Sequence, residues 1–362
     1  MPTIHIPPGP IDQWLRTYRD PGTEFRLGHG HYTTRGAWAF EQHDCCMVAP
    51  GCALIGSGPS TTIHCETPDL SVAGKTAVYL EALTGGSRSG ESESVRFEGF
   101  RLETKSPVPV VGVHTWSSRA IIRSVRVDGI WGDRNRPAPN EGFGLIANNC
   151  GAPCSDLVDG GNLIEDCEVH VYGQYVTGCY CGIVERAGCA LTASVVRRVR
   201  VFSTGTESHA GYGINDRTHI EDCESHGFRR AVFSDTGPGR DSRIARMFAT
   251  ACEWAVEFRA MTESDTRQRL RVSDSTFLFQ QETAWSQALL IEDATWNGEM
   301  WMGPVEFERC TFHSLALNRS QGRLRGSRIS GVEFRDCRWG PGPWEAPVVQ
   351  SGAQHPTHTV TP

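Results

Sequence analysis

The chain has 362 residues, of which 39% are hydrophobic and 21% charged, a composition typical of a folded globular protein. Its net charge of −7 argues against nucleic acid as a partner, because phosphate binding needs a basic surface. No window approaches 18 consecutive apolar residues, so the sequence predicts no membrane-spanning helix and no membrane partner.

The N-terminal residues have no basic stretch followed by an apolar run, and the 14 cysteines are not spaced as a disulfide framework. We therefore expect reduced cysteines and a cytoplasmic location, or secretion if a signal peptide has been removed.

The first segment of the chain, residues 1–24, predicts a short helix within residues 10–20 that ends at Asp20-Pro21-Gly22. The apolar side of this helix consists of Trp14, Leu15 and Tyr18. Strands are predicted next, over residues 25–32 and around residues 53–58.

A repeated pattern follows and defines the main body, residues 25–340. Each repeat has three members. Two residues separate the first, apolar member from the middle member, which is small or apolar, and one residue separates the middle member from a final apolar residue. The middle members recur at intervals of 24 to 42 residues and are Phe100, Val125, Cys167, Val199, Cys223, Met247, Ser275, Cys310 and Cys337. Cysteine is small and is usually buried, so we expect the cysteines of this series to pack in the interior.

A second type of short strand alternates with the first, for example at Gly144-Leu145-Ile146 and Gly213-Ile214-Asn215. Two strand types that alternate along the chain predict an all-β stacked solenoid. Residues 341–362 show no such pattern, and we expect a loose C-terminal tail there.

The order of elements at the N-terminus also resembles a known superfamily. A short helix, a Pro-Gly stop, a strand, His29-Gly30-His31-Tyr32, Leu54-Ile55-Gly56-Ser57-Gly58 and Thr61-Thr62-Ile63 follow one another. This order is similar to the start of pectate-lyase-like proteins. The resemblance implies a single right-handed parallel β-helix with a short N-terminal capping helix.

Candidate catalytic residues emerge when the second strand type is aligned coil by coil. One column then contains Ala147, Glu185, Asp216, Asp235, Arg259 and Asp293, flanked by Arg186 and Arg217. Neighbouring coils are spaced about 4.8 Å apart, so the carboxylates would form an acidic ladder on the outside. Carboxylates roughly 5 to 9 Å apart are the arrangement that glycoside hydrolysis requires.

A second scheme uses the same column. Carboxylates could hold calcium, the one candidate cofactor, and the ion could bind a uronic acid while Arg217 or a nearby histidine acts as the base. The resemblance to pectate lyases implies this scheme, and the resemblance to galacturonase-like glycosidases implies hydrolysis.

Further polar and aromatic residues lie near the column in sequence. His209 and Tyr212 are candidates for moving a proton at C5 of a uronate. Candidate substrate-binding residues are Glu141, His170, Tyr172, Tyr175, Arg186, Arg259 and Trp254; exposed aromatic rings among them would stack on sugars.

The leading hypothesis is a carbohydrate-active enzyme that cleaves glycosidic bonds, as a lyase or a hydrolase, in a groove on the β-helix face. The alternatives are a uronate C5-epimerase, a non-catalytic glycan-binding or tail-type β-helix, and a small-molecule tailoring enzyme. A stable trimer would favour the tail-type protein, and a closed pocket would favour the tailoring enzyme. The oligomeric state stays open.

Overall fold

The computed structural model describes residues 2–38, 47–49, 51–66, 77–83, 94–104, 110–116, 119–132, 141–150, 161–184, 193–204, 208–214, 217–234, 241–259, 269–279, 287–292, 305–314, 323–325, 332–339, 349–350 and 359–361. The chain divides into two compact units, Met1–Ser208 and His209–Pro362. In both units, short strands of successive coils pair into three sheets, here called A, B and C.

In the first unit, sheet A contains β1 (Thr3–Ile6), β3 (Glu24–Leu27), β6 (Ala53–Ile55), β9 (Ser94–Glu98), β12 (Arg119–Arg123), β15 (Leu163–Glu165) and β18 (Ser194–Arg197). Sheet B contains β2 (Gly9–Pro10), β4 (Gly30–Thr34), β7 (Thr61–Cys65), β10 (Arg101–Thr104), β13 (Arg126–Gly132), β16 (Glu168–Gly173) and β19 (Arg200–Ser203). Sheet C contains β5 (Ala37–Trp38), β8 (Ala77–Leu83), β11 (Val110–Trp116), β14 (Gly142–Cys150) and β17 (Val176–Val184). These strands pair in parallel, except that β5 is antiparallel to β8.

In the second unit, sheet A contains β21 (Thr218–Glu221), β24 (Ser242–Ala245), β27 (Leu270–Ser273), β30 (Val305–Glu308), β33 (Val332–Arg335) and β36 (Thr359–Thr361). Sheet B contains β22 (Glu224–His226), β25 (Phe248–Cys252), β28 (Thr276–Phe279), β31 (Thr311–Ser314) and β34 (Arg338–Trp339). Sheet C contains β20 (Ala210–Ile214), β23 (Arg230–Ser234), β26 (Trp254–Arg259), β29 (Gln287–Glu292), β32 (Arg323–Arg325) and β35 (Val349–Gln350). Each coil therefore contributes one strand to each sheet, which is the architecture of a parallel β-helix.

The repeated sequence pattern corresponds to the turn between sheets A and B. From β9 onward this turn has two residues, and from Ser124 onward its first residue adopts a positive φ, as at Asp222 (53°) and Asp274 (51°). The second turn residue points inward, and the strand residues on either side alternate between the core and the surface. The alternation is the period-two pattern of a half-buried strand, so the sequence was sufficient to predict these two sheets.

The cysteines of the pattern are buried as predicted at positions 167, 223 and 310. Each thiol also lies near the carbonyl oxygen two residues earlier, with Cys223 Sγ 3.2 Å from Glu221 O. Ser275 occupies the same position in another coil and donates to Ser273 O at 2.7 Å. The position therefore selects a small side chain that can donate a hydrogen bond to the turn.

Strands of the sheets also lie within the two segments that flank the predicted main body, residues 1–24 and 341–362. Strand β1 already pairs with β3 inside the expected cap segment. In the expected tail, β35 pairs with β32 and β36 pairs with β33. These terminal strands have two to four residues, too few to produce a periodic pattern in the sequence.

The predicted capping helix is α1 (Asp12–Thr17), in which Leu15 is fully buried. Its first residue, Asp12, is held by Thr34, whose hydroxyl donates to Asp12 Oδ1 at 2.6 Å, and by the amide of Arg35 at 3.0 Å. Burial outweighs these hydrogen bonds and raises the pKa of Asp12. Within the described residues, no helix is long and apolar enough to cross a bilayer.

Sheet A of the first unit contains a buried carboxylate, Glu165, that should make stability depend on pH. Its oxygens accept hydrogen bonds from Arg123 Nε and Arg197 Nε, both at 2.5 Å, and from Arg198 Nη2 at 2.9 Å. Burial alone would raise the pKa of Glu165, but the arginines outweigh burial and lower that pKa. The stabilisation is therefore present above the unfolded-state pKa and is lost as the pH falls through the lower folded-state pKa.

We expect Glu165→Gln to lower the free energy of unfolding by about 1.5–3 kcal/mol at pH 7, the range for hydrogen bonds to charged groups. Urea unfolding at pH 7 and at about pH 3 measures this effect, and the difference from wild type should shrink at the lower pH. Glu66→Gln, in an exposed 3.6 Å pair with Arg35, is the control that should change little at either pH. An equal loss from Glu165→Gln at both pH values would contradict the assignment.

Candidate functional site

Sheet C is the sheet whose strands border the longest connections of the coil. Residues 133–141 precede β14 and residues 151–162 follow it in the first unit, and residues 260–269 and 293–304 follow β26 and β29 in the second. The turns between sheets A and B have only two residues in the same coils. Long connections held by a rigid scaffold are where binding and catalytic groups concentrate, so sheet C is the candidate functional face.

The orientation of sheet C in the first unit follows from Gly144 in β14. A Cβ atom placed on Gly144 would lie 2.3 Å from Val169 Cγ1 of sheet B, so this position faces the interior. Phe143 beside it faces outward, and it packs with Ile146 on a small apolar cluster. Residues 143 and 146 share one face, so strands of sheet C do not follow a strict period of two.

A buried histidine–carboxylate pair lies in the same part of sheet C. His114 Nδ1 is 2.8 Å from Glu81 Oε1, and the side chains are 5% and 0% exposed. Strands β8 and β11 place the two residues opposite each other in register. The contact orients the imidazole ring, which is what a carboxylate does for a histidine that transfers protons.

The second unit contains a larger buried group on sheet C, here called the Arg230 cluster: Arg230, Glu257, His209, Phe233 and Trp254. Arg230 forms a bidentate ion pair with Glu257, with Nη2 3.1 Å from Oε1, and Glu257 is fully buried. Arg230 Nη1 lies 3.3 Å from His209 Nδ1, and the His209 ring meets the Phe233 ring edge-on at 4.5 Å. A buried charge requires a partner. Strand β23, which contains Arg230, pairs with β20 and with β26, and this order places His209 and Glu257 next to Arg230.

The Arg230 cluster faces outward from the coil. A Cβ atom on Gly211 would lie 2.1 Å from Ser225 Oγ of sheet B, so Gly211 faces inward and its neighbour Ala210 faces outward. Ala210 pairs with Arg230, and Arg230 with Trp254, so these three positions form one outward column. The outward face of sheet C in this unit is therefore polar, aromatic and buried.

The register corrects the predicted column in the first unit. Ala147 pairs with Cys181, four residues before Glu185. The alignment matched Gly144 to Gly182, whereas the pairs on either side place Gly144 opposite Gly178. Both glycines precede apolar residues in one long strand, and burial on both faces leaves no alternation to fix the register.

The same correction applies in the second unit. Gly213 pairs with Phe233, one residue away from the predicted partner Val232. Arg259 pairs with Glu292 and not with Asp293. The predicted match of Val232 with Val256 is confirmed.

Four predicted site residues, Glu185, Arg186, Asp216 and Asp235, lie outside the described residues. The backbone of Arg259 is described, but its side chain is not. Arg217 is the residue before β21 and adopts a positive φ of 50° in the connection that leaves sheet C.

The structure brings together two of the predicted residues, His209 and Trp254, through Arg230. The Trp254 ring contacts two guanidinium groups, with its centroid 4.6 Å from Arg229 Cζ and 5.0 Å from Arg230 Cζ, and Trp254 is 6% exposed. The exposed stacking ring expected for a sugar is therefore not what the structure shows. Tyr212 points into the core, where its hydroxyl donates to Glu224 O at 2.8 Å.

The remaining predicted residues are in the first unit. Thr177 donates a hydrogen bond to Glu141 at 2.7 Å at the start of sheet C, and Tyr175 precedes β17. His170 and Tyr172 are in β16 of sheet B, where His170 lies 2.8 Å from Glu168 Oε1. Burial raises the pKa of Tyr172. The Gly142 amide donates to Tyr175 O at 2.9 Å and so brings the segments of Glu141 and Tyr175 together, whereas His170 and Tyr172 lie in sheet B.

Sequence analysis missed Glu81, His114, Arg230 and Glu257. The available signal was a charged residue, or a histidine, inside an otherwise apolar strand, as in Val256-Glu257-Phe258. Such residues are almost never fully buried without a partner, so they mark a special site.

The described residues do not supply a metal centre. Among them, no three His, Cys, Asp or Glu side chains are grouped closely enough to hold a metal ion. The set of carboxylates that calcium prefers is not found in this part of the chain.

Comparison with solved structures identifies the same architecture in other proteins. A polygalacturonase from Erwinia carotovora ssp. carotovora has a TM-score of 0.51 and 9% identity, over 97% of this chain and 93% of its own. The catalytic domain of a GH87 alpha-1,3-glucanase in complex with tetrasaccharides has a TM-score of 0.50 and 11% identity, over 100% and 68% of the two chains. The surface protein and adhesin PfbA of Streptococcus pneumoniae has a TM-score of 0.49 and 8% identity, over 93% and 91%.

No protein-family model matches the chain, and no curated protein matches it either. Identities of 9 and 11% show the fold alone. The fold is a right-handed parallel β-helix, as the N-terminal resemblance implied.

Proposed function

We propose that the protein is a carbohydrate-active enzyme that cleaves a glycosidic bond beside sheet C of the second unit. The observation that carries the proposal is the Arg230 cluster, a buried charged group on the outward face of a β-helix sheet. Buried charges cost free energy and give a fold no comparable stability, so their presence at a loop-bordered face favours a functional role.

Two acids follow the strands of this cluster in the sequence. Asp235 directly follows the last residue of β23, and Asp216 comes two residues after the end of β20. These parallel strands are neighbours, with Gly213 opposite Phe233, so both acids follow strand ends at the same edge of sheet C. We assign Asp216 and Asp235 as the general acid and its partner carboxylate in glycoside cleavage.

The Arg230 cluster would act as the support for these acids. Glu257 and Arg230 join β23 to β26, and His209 extends the contact to the residue before β20. A rigid arrangement of these strands would hold the acids at a fixed separation, as hydrolysis requires.

The names of two structural neighbours support the substrate class. One is a polygalacturonase, and the other is an alpha-1,3-glucanase bound to tetrasaccharides. By analogy the substrate of this chain is a polysaccharide or oligosaccharide, and the analogy rests on fold.

The test is the release of new reducing ends from neutral and uronate polysaccharides, with and without added calcium. We expect wild-type protein to cleave at least one substrate and Asp216→Asn/Asp235→Asn to lose about 10²-fold or more of that rate, the range for removed acid–base groups. Ultraviolet absorbance of an unsaturated product would distinguish a lyase from a hydrolase.

The matched control is Asp222→Asn/Asp274→Asn, which makes the same charge change in the second unit. Both residues lie in turns between sheets A and B and form exposed ion pairs with Arg246 and Arg309. Asparagine tolerates their positive φ, so this variant should fold and retain wild-type cleavage. Equal activity of both double variants would contradict the assignment of Asp216 and Asp235.

A second candidate function is supported by burial. Arg230, Glu257 and Trp254 are each 6% exposed or less, and Trp254 Nε1 has no hydrogen-bond acceptor among the described residues. A covered polar site suits a small molecule or a short oligosaccharide better than a long chain. Cleavage of di- and trisaccharides in preference to polymers in the same assay would favour this version.

A further inference from the structure

The turn between sheets A and B contains cysteine in two successive coils near the C-terminus. Cys310 lies between β30 and β31, and Cys337 lies between β33 and β34. The flanking residues are paired in register, Glu308 with Arg335 and Thr311 with Arg338. The two cysteines therefore occupy equivalent positions in adjacent coils, where the strand spacing is about 4.8 Å.

The thiol of Cys337 is directed toward the coil of Cys310. Cys337 Sγ lies 3.5 Å from Phe307 O, a carbonyl of the strand that precedes Cys310. Cys310 Sγ lies 3.5 Å from Val272 O in the preceding coil, so a change of its side-chain rotamer would complete the approach. Disulfides join residues whose Cα atoms are about 4.4–6.8 Å apart, a range that includes the spacing of adjacent coils.

We propose that Cys310 and Cys337 form a reversible disulfide that links two successive turns between sheets A and B. This pair differs from the other described turns between sheets A and B, where a cysteine is stacked on a residue other than cysteine. The proposal therefore goes beyond the packing role expected for these cysteines. Cys223, for example, is followed in the next coil by Met247. The inference rests on register alone and is independent of the proposed function.

The two cysteines have different roles in the reaction. Cys337 is partly exposed and Cys310 is fully buried, so a low-molecular-weight disulfide such as oxidised glutathione reaches Cys337 first. The neighbouring Cys310 thiol lowers the pKa of Cys337, and the Cys337 thiol together with burial raises the pKa of Cys310. Cys337 is accordingly the better nucleophile, since the thiolate is the reactive form.

The exchange proceeds in two steps. The Cys337 thiolate attacks one sulfur of oxidised glutathione, whose S–S bond breaks, and one glutathione leaves as a thiol after taking up a proton. Cys310 then loses its proton and attacks Cys337 Sγ, which releases the second glutathione. Two protein thiols are oxidised, and one glutathione disulfide is reduced to two thiols.

The disulfide would cross-link two neighbouring coils of a solenoid, whose stability depends on the contacts between neighbours. A disulfide between residues 310 and 337 would restrict the unfolded chain in this region and raise the melting temperature by roughly 5–10 °C.

Trypsin mapping tests the proposal directly. Full-length folded protein is incubated with oxidised glutathione, its remaining thiols are blocked with N-ethylmaleimide, and the protein is digested. Cleavage after Arg309, Arg319, Arg335 and Arg338 leaves each cysteine alone in a peptide, residues 310–319 and 336–338. We expect these two peptides to be linked in the wild type.

Three variants complete the experiment. Cys310→Ser and Cys337→Ser should lose the linked peptides and the rise in melting temperature, and both should fold because Ser275 occupies the same position in another coil. Cys223→Ser should retain both effects. Absence of the 310–337 link in folded wild type, or its formation only in denaturant, would overturn the proposal.

Discussion

Arg230→Met should lower the free energy of unfolding by about 3–5 kcal/mol, because it leaves the fully buried carboxylate of Glu257 without its ion partner. Little water can reach Glu257, so solvent cannot replace the two charged hydrogen bonds that its carboxylate loses. Urea unfolding followed by circular dichroism measures the loss.

The double variant Arg230→Met/Glu257→Leu should recover most of that stability, since apolar residues of similar size often replace a buried ion pair at little cost. Arg309→Met is the exposed comparison, because Arg309 forms a bidentate pair with Asp274 at the surface. Its removal should change stability little. If Arg230→Met were as mild as Arg309→Met, the ion pair would not be the isolated, buried contact described above.

Phe307→Ala should have an effect of similar size, about 3–5 kcal/mol, through the cavity that it leaves. Phe307 is fully buried, its ring is stacked on Phe334 at 4.8 Å, and it meets Phe312 edge-on at 5.6 Å. Phe312 belongs to the same coil and Phe334 to the next one, so one deletion removes contacts within a coil and between coils. Thermal and urea unfolding both report the loss.

Phe248→Ala makes the same chemical change at a position that is 39% exposed in the same unit. We expect its free energy of unfolding to stay within about 1 kcal/mol of wild type, because little apolar area is lost from the core. Equal losses from Phe307→Ala and Phe248→Ala would show that the aromatic stack is not the core of this unit.

Sheets A and B could be predicted from the sequence because each has one buried and one exposed face. Their strands alternate with a period of two, and the two-residue turn keeps that alternation in phase from coil to coil. Cys167 and Cys223 were recognised as interior residues for this reason.

Sheet C could not be aligned in the same way. Both of its faces are buried, and residues three apart share a face, as Arg230 and Phe233 do with Arg230 Cζ 5.3 Å from the Phe233 ring. A shift of the sequence alignment by one residue at Gly213, or by four residues at Gly182, therefore left the apolar pattern apparently intact. The partners of Arg230 and Glu257 depend on this register, so the cluster became visible only in three dimensions.

The most direct test of the proposed function is the ratio of two cleavage rates, that of Asp216→Asn/Asp235→Asn and that of Asp222→Asn/Asp274→Asn. Both are measured on the best carbohydrate substrate, well below the melting temperature of either variant. The proposal predicts a ratio of about 0.01 or less, with the second variant equal to wild type. A ratio near one would contradict a catalytic site at this edge of sheet C, and the absence of cleavage of any carbohydrate by wild-type protein would contradict glycosidic cleavage itself.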